Sequence, residues 1–200
     1  MRRWPSLLLL AFAVAAQADT VTVCFNYGCQ NQAQAEYDEG KMFAMRILLG
    51  SAQDAAEERQ RLSLAIGWLL GWAGEQTPIA ADRGGNYADQ GVYGRMDCID
   101  HATTTTQLLQ MLEARGWLRF HRVLPPASRI RYLFAAHYAA QIVEIAAPSG
   151  APSIYVVDSW FRDNGQPAIV SELSAWQDGH DDEDNVRTVT LPAGDRNFQR

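Results

Sequence analysis

The sequence has no excess of basic residues, and no internal apolar stretch is long enough to cross a membrane. Its 200 residues include 17 Lys and Arg against 23 Asp and Glu, which gives a formal net charge of −6 at pH 7. A generic nucleic-acid-binding protein needs a basic surface, so we exclude that class. A membrane helix needs about 18 apolar residues in a row, so we expect no stable membrane insertion beyond the N-terminal region.

The sequence also lacks the motifs of several enzyme classes. It contains no Gly-rich loop ending in Gly-Lys-Ser/Thr, no Gly-x-Ser-x-Gly, no His-Glu-x-x-His and no Cys-x-x-Cys pair. These absences argue against nucleotide chemistry, serine-hydrolase chemistry and zinc catalysis, and no cofactor is implied. The composition, with 48% hydrophobic and 20% charged residues, is that of a globular protein. The length is that of one domain, since domains span about 100–200 residues.

The N-terminal region has the features of a secretory signal peptide at 1–18. A basic start at 2–3 precedes an apolar run at 7–16, and an Ala-x-Ala site ends at Ala18. The alternative is an uncleaved N-terminal anchor. Cleavage leaves a single domain, predicted at 19–179, in the bacterial periplasm or outside the cell, which is an oxidising environment.

A polar, acidic tail is expected at 180–200. Its first residues, HDDEDN, offer oxygen ligands for Ca²⁺, but they lack the regular ligand spacing of a calcium-binding loop. We therefore expect a solvated tail and no cofactor, with Ca²⁺ binding by these residues as the alternative.

The three cysteines are informative in an oxidising compartment. Cys24 and Cys29 enclose four residues that include Asn, Tyr and Gly and can turn back, so we predict a disulfide between them. Cys98 is then unpaired. A free thiol in such a compartment is a liability unless it is buried or used. The alternative for Cys98 is an inert, buried cysteine.

The apolar patterns predict helices first and antiparallel strands afterwards, which makes the domain α+β. The predicted elements are a strand at 20–26, helices at 33–49, 54–74 and 98–115, strands at 117–124, 130–146 and 154–158, and a short helix near 171–177. Pro125-Pro126 is expected to interrupt the strands. Residues 75–96 form a long Gly-rich loop, and loops of that length are often functional.

Cys98 opens the predicted helix at 98–115, directly after Asp97, which is a good N-cap. A helix N-terminus has unpaired N–H groups and a partial positive charge, which stabilise a thiolate and can hold an oxyanion. The position therefore suits a nucleophile. Asp97 and Asp100 oppose this effect because negative neighbours disfavour a thiolate. They would otherwise cap the helix and compete for its N–H groups.

A nucleophilic cysteine needs a base, and the base needs an orienting group. His137 begins the strand HYAAQIVEI and Asp158 ends IYVVD, so the two side chains can lie side by side if these strands pair. We predict Cys98 as nucleophile, His137 as base and Asp158 as orienting group. His101, three positions after Cys98, is an alternative base or a support for the helix start. The structural alternatives are a packed strand histidine for His137 and a turn cap for Asp158.

The segment MDCIDHATTTTQLLQMLEARGWLRFHRV resembles the transglutaminase-like pattern. In that pattern a Cys begins a helix, a Gly terminates the helix, and a strand follows. HYAAQIVEI and YVVDSW resemble the His- and Asp-containing strands of that family, over about residues 90–165. The resemblance, above all to the bacterial transglutaminase-like cysteine proteinases, implies a papain-like core with its central helix packed on an antiparallel sheet. It also implies Cys-His-Asp acyl transfer: hydrolysis with water as acceptor, or a transglutaminase with an amine.

Two alternatives to this family remain. The segment also resembles the NlpC/P60 cell-wall peptidases, which open a helix with Asp-Cys, although Asp158 on a later strand favours the first family. A non-catalytic binding domain of the same fold is the other alternative. Papain-like enzymes often use a Gln before the Cys to bind the oxyanion, and Gln90 is the nearest, displaced by a couple of positions. The expected substrate is a protein or a peptidoglycan peptide.

Overall fold

The computed structural model describes residues 18–86, 88–131, 135–145, 150 and 152–179. The predicted tail, with its acidic residues, and all of the predicted signal peptide except Ala18 lie outside this part of the chain. The described residues form a mixed arrangement of four α helices and two antiparallel sheets. This agrees with the α+β class.

The described chain begins with a two-stranded hairpin, β1 (Asp19–Phe25) and β2 (Asn31–Tyr37). The four residues 26–29 of its turn all have positive φ, between 57° and 67°. A disulfide between Cys24 and Cys29 closes the turn, which confirms that pairing.

The prediction of a helix from residue 33 was wrong, because β2 occupies its first residues. Along β2, the fully buried Ala35 and Tyr37 alternate with exposed polar residues, as is typical of a strand with one face in the core. The helix α1 (Glu39–Gly50) begins only after Asp38, whose side chain accepts a hydrogen bond from the Lys41 N–H. The local helix propensity of the alanines was overridden by pairing with β1.

The helices predicted at 54–74 and 98–115 are confirmed. α2 (Ala55–Gly74) starts after Asp54, and its C-terminal half is largely buried. A short 3₁₀ helix, Pro78–Ala81, lies within the predicted Gly-rich loop. α3 (Cys98–Ala114) begins with a capping box in which Asp97 and Asp100 exchange side-chain and backbone hydrogen bonds.

The second sheet has the strand order β3-β4-β5-β6. Its strands are β3 (His121–Arg131), β4 (Ala135–Glu144), β5 (Ile154–Asp158) and β6 (Ile169–Glu172), followed by α4 (Leu173–Asp178). The prolines 125–126 do not end β3; they coincide with a shift in its register against β4. The short helix predicted near 171–177 starts two residues late, because β6 extends to Glu172.

The sheet packs on two sides. Leu108, Leu109 and Leu112 of α3 share the main core with Ile142 and Val157. On the other face, Trp176 of α4 packs with a smaller cluster formed by Ala127, Ala139 and Val156. α3 is thus the helix packed on the antiparallel sheet, and Cys98 is its first residue. Among the described residues, no helix is both long and apolar enough to span a membrane.

Candidate active site

Cys98 lies where the start of α3 meets β4. Its side chain is half-buried, and its Sγ is 3.8 Å from the carbonyl oxygen of Ala136, the residue before His137. Asp97 Oδ1 accepts hydrogen bonds from the N–H groups of Ile99 and Asp100, the two residues after Cys98, at 3.1 Å and 2.9 Å. Within the described chain, the Cys98 N–H has no such partner, so one helix-start donor remains beside the sulfur.

His137 is held by Asp158 and enclosed by aromatic rings. Its Nε2 lies 2.6 Å from Asp158 Oδ2, and only 6% of the residue is exposed. The ring centroids of Trp160, Phe161 and Trp176 lie 5.1–5.6 Å from that of His137. The second nitrogen, Nδ1, is buried and has no hydrogen-bond partner among the described residues. It is the nitrogen left to act on a neighbouring group.

The environment of His137 favours its protonated form. Burial by itself lowers the pKa of the imidazole, but the hydrogen bond and charge of Asp158, together with the interaction with Cys98, raise the pKa to about 9. The protonated imidazolium is therefore the favoured form of His137 at neutral pH. A carboxylate, an imidazole and a thiol in this order are the components of nucleophilic catalysis.

Asp158 accepts hydrogen bonds on both of its oxygens. Oδ2 accepts from His137 and, at 3.0 Å, from the indole Nε1–H of Trp176, while Oδ1 accepts from the Trp160 N–H at 3.1 Å. Three donors compensate the burial of this carboxylate and fix its orientation. Trp176 was missed in the sequence, because nothing in its spacing links a residue of the short helix α4 to the end of β5.

The turn between β1 and β2 forms hydrogen bonds with the two carboxylates that flank Cys98. Backbone N–H groups of the turn reach both carboxylates: Gly28 donates to Asp97 at 3.0 Å, and Tyr27 and Cys29 donate to Asp100 at 2.8 Å and 2.5 Å. Successive N–H groups in left-handed conformation form a concave anion site of this kind. The two acids therefore serve the turn and the helix cap.

Asp100 is fully buried, and its pKa is raised despite these hydrogen bonds. Burial and the nearby charge of Asp97 raise its pKa to about 6, against the lowering effect of its backbone hydrogen bonds. The sequence suggested that the negative charges of Asp97 and Asp100 disfavour a thiolate at Cys98. A raised pKa of Asp100 reduces the negative charge near the sulfur.

His101 and Gln90 do not contact Cys98 through any hydrogen bond of the described residues. Both nitrogens of His101 are engaged elsewhere, with Asp82 and Ser159, and the side chain is buried, so it is not free to act as the base. Gln90 is exposed and lines a surface pocket with Asn26 and Tyr93. The oxyanion role expected for Gln90 therefore has no support in this geometry.

One cluster has the composition of a metal site. Ligand atoms of Cys24, Cys29 and Asp100 lie within 4.8 Å of one another. The two sulfurs are joined in the disulfide, so neither is available as a thiolate ligand, and the cluster is not a convincing metal site.

Comparison of the chain with models of protein families, with curated proteins and with solved structures gives no significant match.

Proposed function

We propose that the protein is a thiol-dependent acyl-transfer enzyme, a cysteine peptidase or amidase that acts through Cys98, His137 and Asp158. One observation carries the proposal. Asp158 holds one nitrogen of His137 at 2.6 Å, while the other nitrogen is buried without a geometric hydrogen bond in the described chain, and the imidazole interacts with Cys98, the only free thiol of those residues. A merely structural histidine is expected to satisfy both nitrogens.

In the first half of the reaction, the Cys98 thiolate attacks the amide carbonyl carbon and forms a C–S bond, and the π electrons move to the oxygen. His137 then donates its Nδ1 proton to the amide nitrogen, the C–N bond breaks and the amine leaves. The product is a thioester on Cys98 and a neutral imidazole. Asp158 keeps the Nε2–H oriented throughout.

In the second half, water attacks the thioester carbonyl and His137 Nδ1 accepts its proton. The C–S bond breaks, which releases a carboxylic acid and restores the thiolate–imidazolium pair. An amine in place of water gives a transglutaminase reaction with the same proton movements. The Cys98 N–H at the start of α3, which makes no hydrogen bond to another described residue, is the proposed donor to the oxyanion of each step.

The architecture supports a papain-like arrangement. The nucleophile opens a helix that packs on an antiparallel sheet, and the base and its orienting group lie on the neighbouring strands β4 and β5. The Cys24–Cys29 disulfide supports an oxidising location, in the bacterial periplasm or outside the cell. A protein or a peptidoglycan peptide is the proposed substrate.

The test is alkylation of Cys98 by iodoacetamide between pH 5 and pH 9, which reports one site because the other cysteines form the disulfide. We expect fast labelling at pH 6, where an ordinary thiol is less than about 1% ionised. His137→Ala should reduce the labelling rate at pH 6 to that of an ordinary thiol, and Cys98→Ser should abolish labelling. Slow labelling that is identical in the wild type and His137→Ala would refute the catalytic proposal in favour of a binding domain.

Substrate class is then separated by two assays. Unfolded protein and purified peptidoglycan sacculi are incubated with the wild type and Cys98→Ser. Release of peptides from protein supports the proteinase, whereas release of peptides from sacculi alone supports an NlpC/P60-like cell-wall peptidase.

A further inference from the structure

Besides the proposed catalytic groups, the protein contains a second, buried network of polar side chains. His101 Nε2 is 2.9 Å from Asp82 Oδ2, and His101 Nδ1 is 2.8 Å from Ser159 Oγ. Ser159 Oγ is in turn 2.9 Å from Thr105 Oγ1. None of these four residues is more than 3% exposed, so substrate cannot reach this network, and the network is not itself an active site.

We infer that His101, with Asp82 and Ser159, is a positioning residue that holds the Cys98 sulfur in line with the His137–Asp158 pair. This inference rests on the proposed function. His101 lies one helical turn after Cys98 in α3, and Ser159 follows Asp158 directly at the end of β5. The single hydrogen bond between them therefore links the helix of the nucleophile to the strand of the orienting carboxylate.

Asp82 secures the same helix start from the other side. Its Oδ1 accepts the N–H of Met96 at 2.8 Å, two residues before Cys98, while its Oδ2 binds His101 three residues after it. One carboxylate thus spans Cys98. A shift of about 1 Å between reacting groups can reduce a rate about 100-fold, so this bracing bears directly on the chemistry.

The hydrogen bonds of this network can all run in one direction. The Nε2–H of His101 donates to Asp82, Nδ1 accepts from the Ser159 hydroxyl, and Ser159 accepts from Thr105. Each polar side chain of the network then has a hydrogen-bond partner. Loss of the Ser159 hydroxyl leaves a buried ring nitrogen unpaired and frees the two elements to separate.

The same protein contains a matched control. His121 and Glu58 form another fully buried pair, with Nδ1 2.8 Å from Oε1, but this pair joins α2 to the start of β3. Disruption of either pair should destabilise the protein, whereas only the His101 chain should affect Cys98. Thr106 provides a mild control, because its buried hydroxyl has no partner within the described residues.

The experiment measures the pH dependence of Cys98 alkylation by iodoacetamide in Ser159→Ala, His101→Gln and Asp82→Asn, with His121→Gln and Thr106→Val as controls. Each variant is checked by circular dichroism and urea denaturation. We expect the first three to lose at least about tenfold in labelling rate at pH 6, so that their profiles move toward that of an ordinary thiol. The controls should keep the wild-type profile, even where His121→Gln is less stable.

Ser159→Ala removes one oxygen atom and decides the outcome if the other variants do not fold. A folded Ser159→Ala with the wild-type profile would overturn the inference, and so would an equal change in His121→Gln. The proposed function fails separately, and the inference with it, if the wild type itself labels slowly at pH 6 or if His137→Ala labels as the wild type does.

Discussion

His137 and Trp176 donate hydrogen bonds to the same carboxylate oxygen, Oδ2 of Asp158, at 2.6 Å and 3.0 Å. The imidazole comes from β4 and the indole from α4, whose Trp176 packs with Ala127, Ala139 and Val156. Because Nε2 of His137 is committed to this oxygen, Nδ1 is the nitrogen available to Cys98. The proton that the proposed reaction moves is therefore carried on Nδ1.

The first prediction concerns the titration of His137. Burial lowers the pKa of His137, so its value of about 9 depends on Asp158 first and on Cys98 second. In Asp158→Asn the burial stays and the charge is lost, so the pKa should fall by at least about 1 unit. The ring proton shifts of His137, followed by NMR between pH 5 and pH 10, measure this change. An unchanged titration would contradict the role assigned to Asp158.

The same shift has a consequence for stability. The folded-state pKa of His137 lies above the ordinary value of 6.5, so the stabilisation from its protonated form is fully present below pH 6.5. It should be lost as the pH rises through about 9. In Asp158→Asn this part of the pH dependence should weaken.

The second prediction concerns Trp176, which is fully buried. Trp176→Phe keeps an aromatic ring but removes the donor to Asp158 and leaves a small cavity, so the free energy of unfolding should fall by about 2 kcal/mol. Labelling of Cys98 at pH 6 should slow as well. The control is Trp72→Phe in α2, a partly buried residue of the main core. It should leave the labelling profile unchanged; a similar effect of both substitutions would remove the specific role of Trp176.

The third prediction concerns the disulfide turn. Cys24 and Cys29 are five positions apart, and replacing both by Ala should reduce the free energy of unfolding by about 2 kcal/mol, the cost of freeing so short a loop. The turn would also hold Asp97 and Asp100 less firmly, so Cys98 should label more slowly at pH 6. Urea denaturation with and without a reductant checks the assignment. Reductant should destabilise the wild type and leave the double variant unaffected.

The fourth prediction compares two glycines of the loop before Cys98. Gly91 and Gly94 have φ of +91° and +90°, but a Cβ at Gly91 meets open space whereas one at Gly94 collides with the backbone of Pro78. Gly91→Ala should cost about 1–2 kcal/mol for its backbone conformation alone. Gly94→Ala should cost at least about 3 kcal/mol because the collision adds to that. Equal urea midpoints for the two variants would show that the contact with Pro78 is relaxed.

The fifth prediction concerns Glu58, which is fully buried. Burial raises its pKa, but hydrogen bonds from His121 and from the N–H groups of Arg119 and Phe120 outweigh burial and lower it below 4.5. The stabilisation from its ionised form is therefore present above pH 4.5 and lost as the pH falls through the lowered pKa.

Glu58→Gln should cost about 3–5 kcal/mol near pH 7, because it leaves these buried donors poorly matched. Thermal unfolding between pH 3 and pH 7 measures both effects. The neighbouring Glu57→Gln is the control and should cost no more than about 1 kcal/mol. A wild type whose stability is flat across the acid range would contradict the prediction for Glu58.

Local signals were enough for the elements whose ends carry capping residues. Asp54 and Asp97 are N-caps, so α2 and α3 begin where the sequence predicts, and Cys98 falls at a helix start for that local reason. The segment at 31–37 was misassigned, because its burial depends on a partner strand and not on its own composition. The bulge at the prolines in β3 has the same origin, since a neighbouring strand holds the chain extended through them.

The sequence by itself determined the candidate nucleophile, base and orienting group, and the disulfide, because each rests on residue chemistry within a short segment. Only the tertiary structure decided how these groups are held. Trp176 on Asp158, the hairpin turn on Asp97 and Asp100, and the link from His101 to Ser159 all join residues far apart in the chain. Hydrogen bonds of this kind depend on distances and directions that packing of the helices on the sheet sets, and no local pattern encodes them.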